Sequence, residues 1–160
     1  MCQSIEQLSE ISLAEKLGRS HRLWRTAVDH ELSPLGLTYP RWSALWKLFR
    51  LGDKVSQKVL ANALEIELPS LMRTLGQLEQ QGLIERHCCS EDKRARIVCM
   101  TAEGKTLLKQ VERRVIDIRK ELLAGINHAE LNQLERIVTL ISNNATDKLA
   151  QQKILNINEK

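Results

Sequence analysis

The feature that most constrains this chain is the segment from Ser56 to Arg96, which reads as two short helices followed by a polar hairpin. Ser56 is a favoured N-cap for the first helix, and Pro69 is a favoured first-turn residue of the second. Gly82 ends the second helix, and Leu83 to Cys88 and Ala95 to Met100 are the predicted strands around a polar tip. This order indicates a helix-turn-helix followed by a β-wing, an arrangement that suits DNA binding.

The second helix of this segment has one apolar and one polar face. Counting 100° per residue predicts a buried stripe of Leu68, Leu71, Leu75 and Leu78. An Arg on the opposite face can make bidentate hydrogen bonds to guanine, and a Ser near a helix N-terminus can bind phosphate. The predicted DNA-binding residues of the two helices, with the N-cap of the first, are Ser56, Pro69, Ser70, Arg73, Thr74 and Gln77.

The hairpin tip carries three cations within four residues, namely Lys93, Arg94 and Arg96. An Arg at such a tip can reach a narrow minor groove, where the DNA potential is most negative. Asp92 cannot favour phosphate, so we expect it to pair with a nearby Arg and fix the shape of the tip. Taken alone, the tip could be a solubilising loop and the polar helix face an ordinary solvated one. Together, and in this order, DNA binding is the better explanation.

Long helices are predicted on both sides of this segment. A first helix spans about Gln7 to His30, with a stop at residues 33–36. Thr38 can cap the next helix, whose predicted apolar side carries Trp42, Leu45, Trp46 and Phe49. In the short helix that Ser56 caps, Val59, Leu60 and Ala63 are expected to face inward.

The C-terminal part is predicted to contain two further helices. Thr101 begins the first of them, and Asn127 with Glu130 forms a capping-box variant that starts the last. Residues beyond about Gln151 read as a polar tail. The terminal helices present more apolar surface than a chain of this size can bury alone, which favours a homodimer.

Composition limits the class of protein. The 160 residues include 24 Lys and Arg against 20 Asp and Glu, a formal net charge of +4, so any charge directed at DNA must be local. The sequence has neither a signal-peptide pattern nor a span apolar enough for a membrane, and we expect a cytoplasmic protein associated with the nucleoid. It also lacks a nucleophile–base set, a phosphate loop and an HExxH motif. We therefore predict neither an enzyme nor a cofactor.

The chain resembles the MarR family of bacterial transcriptional regulators, and within it the SlyA/RovA-like branch. The resemblance rests on Trp24-Arg25 with Asp29-His30, on Pro69 to Leu75, on Gln77-Leu78-Glu79, on Gly82-Leu83-Ile84 with Arg86, and on Asp92 to Ala95. It implies a mainly α (α+β) fold, a winged helix-turn-helix with long N- and C-terminal dimerisation helices. The implied division is 1–32 and 101–150 for dimerisation, 33–100 for DNA binding and 151–160 for the tail.

The resemblance also implies roles for single residues. Pro69, Ser70 and Arg73 would begin the recognition helix, Arg94 would enter the minor groove, and Asp92 would be its structural companion. The branch resemblance implies binding to AT-rich promoters and relief of silencing by nucleoid proteins, and some relatives release DNA when a small aromatic carboxylate binds. In a homodimer, two recognition helices would read a pseudo-palindromic site. The chain departs from relatives at three positions: Glu65 where Gly is usual, Leu68 where a polar cap is common, and Gly76 within the helix.

Several functional questions stay open on sequence alone. Arg22 and Arg25, with Trp42 and Trp46, could bind an aromatic carboxylate, or the Trp residues could be core and the Arg residues exposed. Four cysteines without a CxxC predict reduced thiols and no metal site, and leave regulatory oxidation of Cys88 and Cys89 open. The alternative to a DNA-binding regulator is a winged-helix protein-interaction module without specific DNA binding.

Overall fold

The computed structural model describes residues 3–52, 54–88 and 96–158. Its helices are α1 (Gln3–Leu32), α2 (Tyr39–Arg50), α3 (Gln57–Leu64), α4 (Leu68–Gln80), α5 (Ala102–Leu122) and α6 (His128–Asn158). Its strands are β1 (Val55–Ser56), β2 (Ile84–Cys88) and β3 (Arg96–Met100). The strands form one antiparallel sheet in the order β1-β3-β2. The predicted fold, mainly α with a small sheet in winged helix-turn-helix order, is confirmed.

Helix α1 ends where the sequence predicts a stop, whereas α6 extends past its predicted end. A single 3-10 turn, Ser33–Leu35, follows α1, and Gly36 closes it at φ 69°. The last helix continues to Asn158, through most of the predicted polar tail. The reason is that the segment from Gln151 onward contains neither Gly nor Pro to stop a helix.

Strand β1 was not predicted, because two residues are too few to show an alternating pattern. Val55 pairs with Val98, and Ser56 pairs with Ile97. The strand ends where α3 begins, with Ser56 as the N-cap residue of that helix. It therefore fixes the start of the helix-turn-helix against the wing.

The core of residues 1–122 is aliphatic. Leu45, Leu60, Leu71, Leu75 and Val98 are all at most 1% exposed. The aromatic residues lie at its margin, where Trp24, Tyr39, Trp42 and Trp46 are partly buried.

Three predicted core positions are wrong. Phe49 is 55% exposed, Val59 is 49% exposed and Leu68 is 40% exposed. Ala61, not Val59, accompanies Leu60 on the buried side of α3. All three residues lie within one helical turn of a helix end, where fewer neighbouring elements cover a side chain.

Asp29 caps the N-terminus of α2 from outside that helix. The Tyr39 N–H donates to Asp29 Oδ1, while Thr38, at the predicted N-cap position, makes no side-chain hydrogen bond to the helix. The Thr38 hydroxyl instead accepts from Arg41 Nε at 3.3 Å. This cap ties α1 to the start of α2.

Thr101 joins the end of the wing to the start of α5, as predicted. Its hydroxyl donates to the Gly82 carbonyl at 2.7 Å and accepts from the Gly104 N–H at 3.0 Å, and its own N–H donates to the Leu83 carbonyl at 3.1 Å. A Cβ placed on Gly104 would lie 2.1 Å from the Leu83 carbonyl oxygen. Only glycine therefore allows α5 to approach the chain this closely.

Residues 123–160 form a second unit, built on α6. The predicted capping box is present, because Asn127 N donates to Glu130 Oε2 at 2.9 Å and Glu130 N donates to Asn127 Oδ1 at 3.0 Å. Large apolar side chains of α6 are exposed in the single chain, namely Leu134, Ile137, Val138, Leu140, Ile141 and Leu149. No helix within the described ranges has the length and hydropathy that a membrane span requires.

Candidate nucleic-acid interface

The helix α4 presents a solvated face opposite its buried leucines. Leu71, Leu75 and Leu78 are buried, whereas Pro69, Ser70, Arg73 and Gln77 are exposed. The N-cap position is Glu67 rather than Leu68, and Glu67 makes no side-chain cap hydrogen bond. The first-turn N–H groups of α4 are therefore not occupied by a capping side chain, which is a useful property for anion binding.

Thr74 lies apart from these exposed residues. Its hydroxyl donates to the Ser70 carbonyl at 3.3 Å, and its side chain is half-buried. It lines a cavity on the side of α4 that faces α1 and α2. Its predicted contact with DNA is thus less accessible than that of Ser70 or Arg73.

Ser56 serves first as the cap of α3. Its Oγ accepts from the Val59 N–H at 3.2 Å, as the sequence predicted. The hydroxyl proton is not used in that bond, so it can still be donated to an acceptor such as phosphate.

The turn between α3 and α4 depends on a left-handed residue, Glu65, at φ 55° and ψ 40°. The Glu65 N–H donates to the Asn62 carbonyl at 3.1 Å, and the Ile66 N–H donates to the Ala61 carbonyl at 3.2 Å. These two bonds form a Schellman motif, a helix ending in which glycine is usual. Glycine would therefore be sterically favoured at position 65, where this chain has Glu.

The wing is an antiparallel pair of strands. Ile84 pairs with Met100, and Cys88 pairs with Arg96 at the far end. Arg96 is exposed at the base of the tip. The predicted tip residues Asp92, Lys93 and Arg94 lie outside the described residues.

An ion pair connects α4 to the wing. Arg86, on β2, donates to Glu79 Oε2 of α4 through Nε at 3.0 Å and also through Nη2. The hydrogen bond from Arg86 is the main reason that the pKa of Glu79 is lowered from its usual 4.5, and a smaller contribution comes from the charge of Arg96. Sequence reasoning missed this pair, since the two residues are seven apart and on different elements.

A second polar feature lies between α1 and the helix-turn-helix. A cavity of about 310 Å³ is lined by residues of α1, α2 and α4, including His21, Arg25, Tyr39, Ser43 and Thr74. The Arg25 guanidinium lies 5.4 Å from the centre of the Tyr39 ring, a cation–π distance. Of the four predicted effector residues, Arg25 lines this cavity, whereas Arg22, Trp42 and Trp46 are not among its described lining residues.

The cysteines do not form a cluster in the part of the chain that the structure describes. Cys88 is exposed and Cys99 is half-buried, and the strand register puts them on opposite faces of the sheet. In the same part of the chain, His, Cys, Asp and Glu residues form no group of three that could hold a metal ion. Cys2 and Cys89 lie outside the described residues.

The helix-turn-helix, the antiparallel wing and the long flanking helices define a winged-helix protein. A model of the MarR family matches residues 37–95. The crystal structure of transcriptional regulator PA3341 is 32% identical, with a TM-score of 0.74, and covers 84% of this chain and 98% of that one. The chain belongs to the MarR family.

Two further solved structures are similar. A mutant MarR from E. coli complexed with operator DNA is 25% identical, with a TM-score of 0.78, over 83% of this chain and 95% of that one. The transcriptional regulator SlyA is 20% identical, with a TM-score of 0.77, over 85% of this chain and 95% of that one. The family and these matches are of transcriptional regulators rather than enzymes, in agreement with the prediction from the sequence.

Proposed function

We propose that this chain is a sequence-specific, DNA-binding transcriptional regulator that acts as a homodimer. The observation that carries the proposal is the exposed row of Ser70, Arg73 and Gln77 on α4, beside a wing whose base exposes Arg96. One element can enter the major groove while the other reaches the adjacent minor groove. The similarity to a MarR that was solved with operator DNA supports the same reading.

Arg73 and Arg94 have different proposed roles in DNA binding, and two measurements distinguish these roles. Arg73→Ala should relax base preference at one position per half-site in selection from random duplex DNA. Arg94→Ala should weaken binding to all sequences and flatten the dependence of affinity on salt, because a cation is lost from the minor groove. If Arg94→Ala retains both the affinity and the salt slope of the wild type, the wing role is wrong.

The sites are proposed to be pseudo-palindromic and AT-rich, with two half-sites about one helical turn apart. Membership of the SlyA/RovA-like branch, relief of silencing by nucleoid proteins and residence at the nucleoid in the bacterial cytoplasm are parts of the same proposal. They rest on the motifs of α4 and the wing. Selection of bound sites, followed by a transcription assay with and without a silencing protein on the template, tests them.

We also propose that a small aromatic carboxylate modulates DNA binding from the cavity beside α1. Arg25 supplies a cation, and Tyr39, at 5.4 Å from it, supplies an aromatic wall. Benzoate should weaken DNA binding of the wild type and of Arg22→Met, but not of Arg25→Met. If benzoate weakens DNA binding equally for all three proteins, Arg25 is not part of the effector site.

The alternative is a winged-helix module that binds protein rather than specific DNA. Its support is the exposed pair Glu65 and Glu67, which adds negative charge close to the start of α4. A much higher affinity for selected than for random duplex DNA at the same salt concentration would exclude it.

A further inference from the structure

A polar cavity of about 230 Å³ opens between the recognition helix and the wing. It is lined by Gln57, Met72, Glu79, Arg86 and Arg96. These residues come from the first turn of α3, from α4, and from the two strands of the wing. The exposed residue Met72 is next to Arg73 in the chain, so the cavity borders the face proposed to contact bases.

Gln57 is unusual among the residues of this cavity. It is 8% exposed, and its Nε2 has no hydrogen-bond partner among the residues that the structure describes. A buried amide donor without an acceptor is unfavourable, because the group has lost water and gained nothing in exchange. In a DNA-binding fold, the bound ligand is one source of the missing acceptor.

The rest of the cavity offers donors rather than acceptors. Glu79 carries the only carboxylate among the described lining residues, and its Oε2 already accepts two hydrogen bonds from Arg86. The Arg96 side chain is exposed and makes no hydrogen bond or close ion pair with a described residue, and its charge acts on Glu79 only as a smaller cause of the lowered pKa of that carboxyl. Among the described lining residues, one carboxylate and two guanidinium groups leave one net positive charge. An anion that only accepts hydrogen bonds fits this set.

We propose that the cavity receives a phosphate oxygen of the DNA backbone, with Gln57 as hydrogen-bond donor and Arg96 as the counter-charge. The inference rests on the proposed function. A sugar–phosphate strand separates each major groove from the next minor groove, so it must cross the surface between a helix in one and a wing in the other. The cavity opens on that surface. Gln57 then fixes the position of the protein along the backbone without reading sequence.

Replacing Gln57 should separate binding from folding. Gln57→Leu removes an unpaired buried donor, so its melting temperature should equal or exceed that of the wild type. Its affinity for duplex DNA should nevertheless decrease, by about tenfold for both selected and random sequences, since a hydrogen bond to a charged group is lost. Gln57→Met is the second variant if Leu does not fold, and Gln110→Leu, on the exposed face of α5, is the matched control.

A phosphate scan identifies the group that is bound. Neutral methylphosphonate links are placed one at a time in a selected duplex, and the affinity of each duplex is measured for the wild type and for Gln57→Leu. We expect one position per half-site at which the neutral link lowers the affinity of the wild type for the duplex but not that of Gln57→Leu. Arg96→Gln should reduce the sensitivity to the same link and lower the salt slope.

The outcomes distinguish this inference from the proposed function. One outcome is that the wild type binds duplex DNA with an affinity that decreases steeply with salt, while every methylphosphonate link has the same effect on the wild type and on Gln57→Leu. In that case the cavity proposal is overturned and the proposed function as a regulator stands. If the wild type does not bind duplex DNA, both are overturned. If inorganic phosphate raises the melting temperature of the wild type but not of Gln57→Leu, and no link is coupled, the cavity binds a free anion rather than the DNA backbone.

Discussion

At the scale of single residues, Glu65 holds a backbone conformation that suits glycine better than glutamate. Glu65→Gly should therefore raise the free energy of unfolding by about 1 kcal/mol, and the melting temperature by roughly 2–4 °C. Thermal denaturation followed by circular dichroism measures it. Glu67→Gly is the matched control, because it removes the same charge at φ −66°. Equal stabilisation by both variants would attribute the effect to charge instead of backbone strain.

Substitution by alanine should change the stability of the protein in opposite directions at two helical glycines. A Cβ on Gly76 of α4 would meet nothing within 4 Å, so Gly76→Ala should stabilise the protein by about 1 kcal/mol through helix propensity. A Cβ on Gly104 of α5 would meet the Leu83 carbonyl oxygen, so Gly104→Ala should destabilise it despite the same propensity gain. Urea denaturation of both variants tests the pair. A stable Gly104→Ala would contradict the close approach of α5.

At the scale of elements, the Glu79–Arg86 pair holds α4 to β2, and it predicts a dependence on pH. Because the folded pKa of Glu79 is lowered, its ionised form adds stability that is present above the usual value of 4.5 and is lost as the pH decreases through the lowered folded value. Glu79→Gln should thus be less stable than the wild type at pH 7, and the difference should vanish in acid. Glu79 is 39% exposed, so we expect a modest effect.

The control for this pair is Glu112→Gln, on the exposed side of α5. Its stability should stay parallel to that of the wild type across the same pH range. A difference between wild type and Glu79→Gln that persists unchanged below the lowered pKa would mean that the charge of Glu79 is not what connects the two elements.

The elements themselves were largely readable from the sequence, and the contacts between them were not. Caps such as Ser56 and Asn127 act on their own helix within three residues, so local spacing is enough to find them. Asp29, which caps α2 from ten residues away, and Gln57, whose burial depends on α4 and the wing, carry no local signal. The same reason explains β1, whose partner strand is about forty residues further along the chain.

At the scale of the whole molecule, the exposed apolar residues of α6 predict self-association. Ile141 is 41% exposed and lies between other large apolar side chains of the same helix face. A charge on this face would be buried in a dimer at high cost, so Ile141→Glu should shift the protein to monomer in sedimentation velocity and weaken binding to a two-half-site duplex. Affinity for a single half-site should change little.

Asn143→Glu is the control for self-association, because position 143 lies on the opposite side of α6 by helical geometry. This variant should remain a dimer with normal affinity. Monomeric behaviour of the wild type at the same concentration would contradict the homodimer directly.

The hydrogen bonds of Thr101 at the junction of the wing and α5 should slow the exchange of amide protons with solvent at this point of the chain. The Thr101 N–H and the Gly104 N–H both have acceptors at the junction of wing and α5. Because Gly104 has no side chain, α5 packs closely against the Leu83 backbone at this junction. These two protons should exchange in D₂O as slowly as those of the central strand β3, far more slowly than usual at the start of a helix. Their protection would report, without any DNA present, whether the wing and α5 open as one cooperative unit.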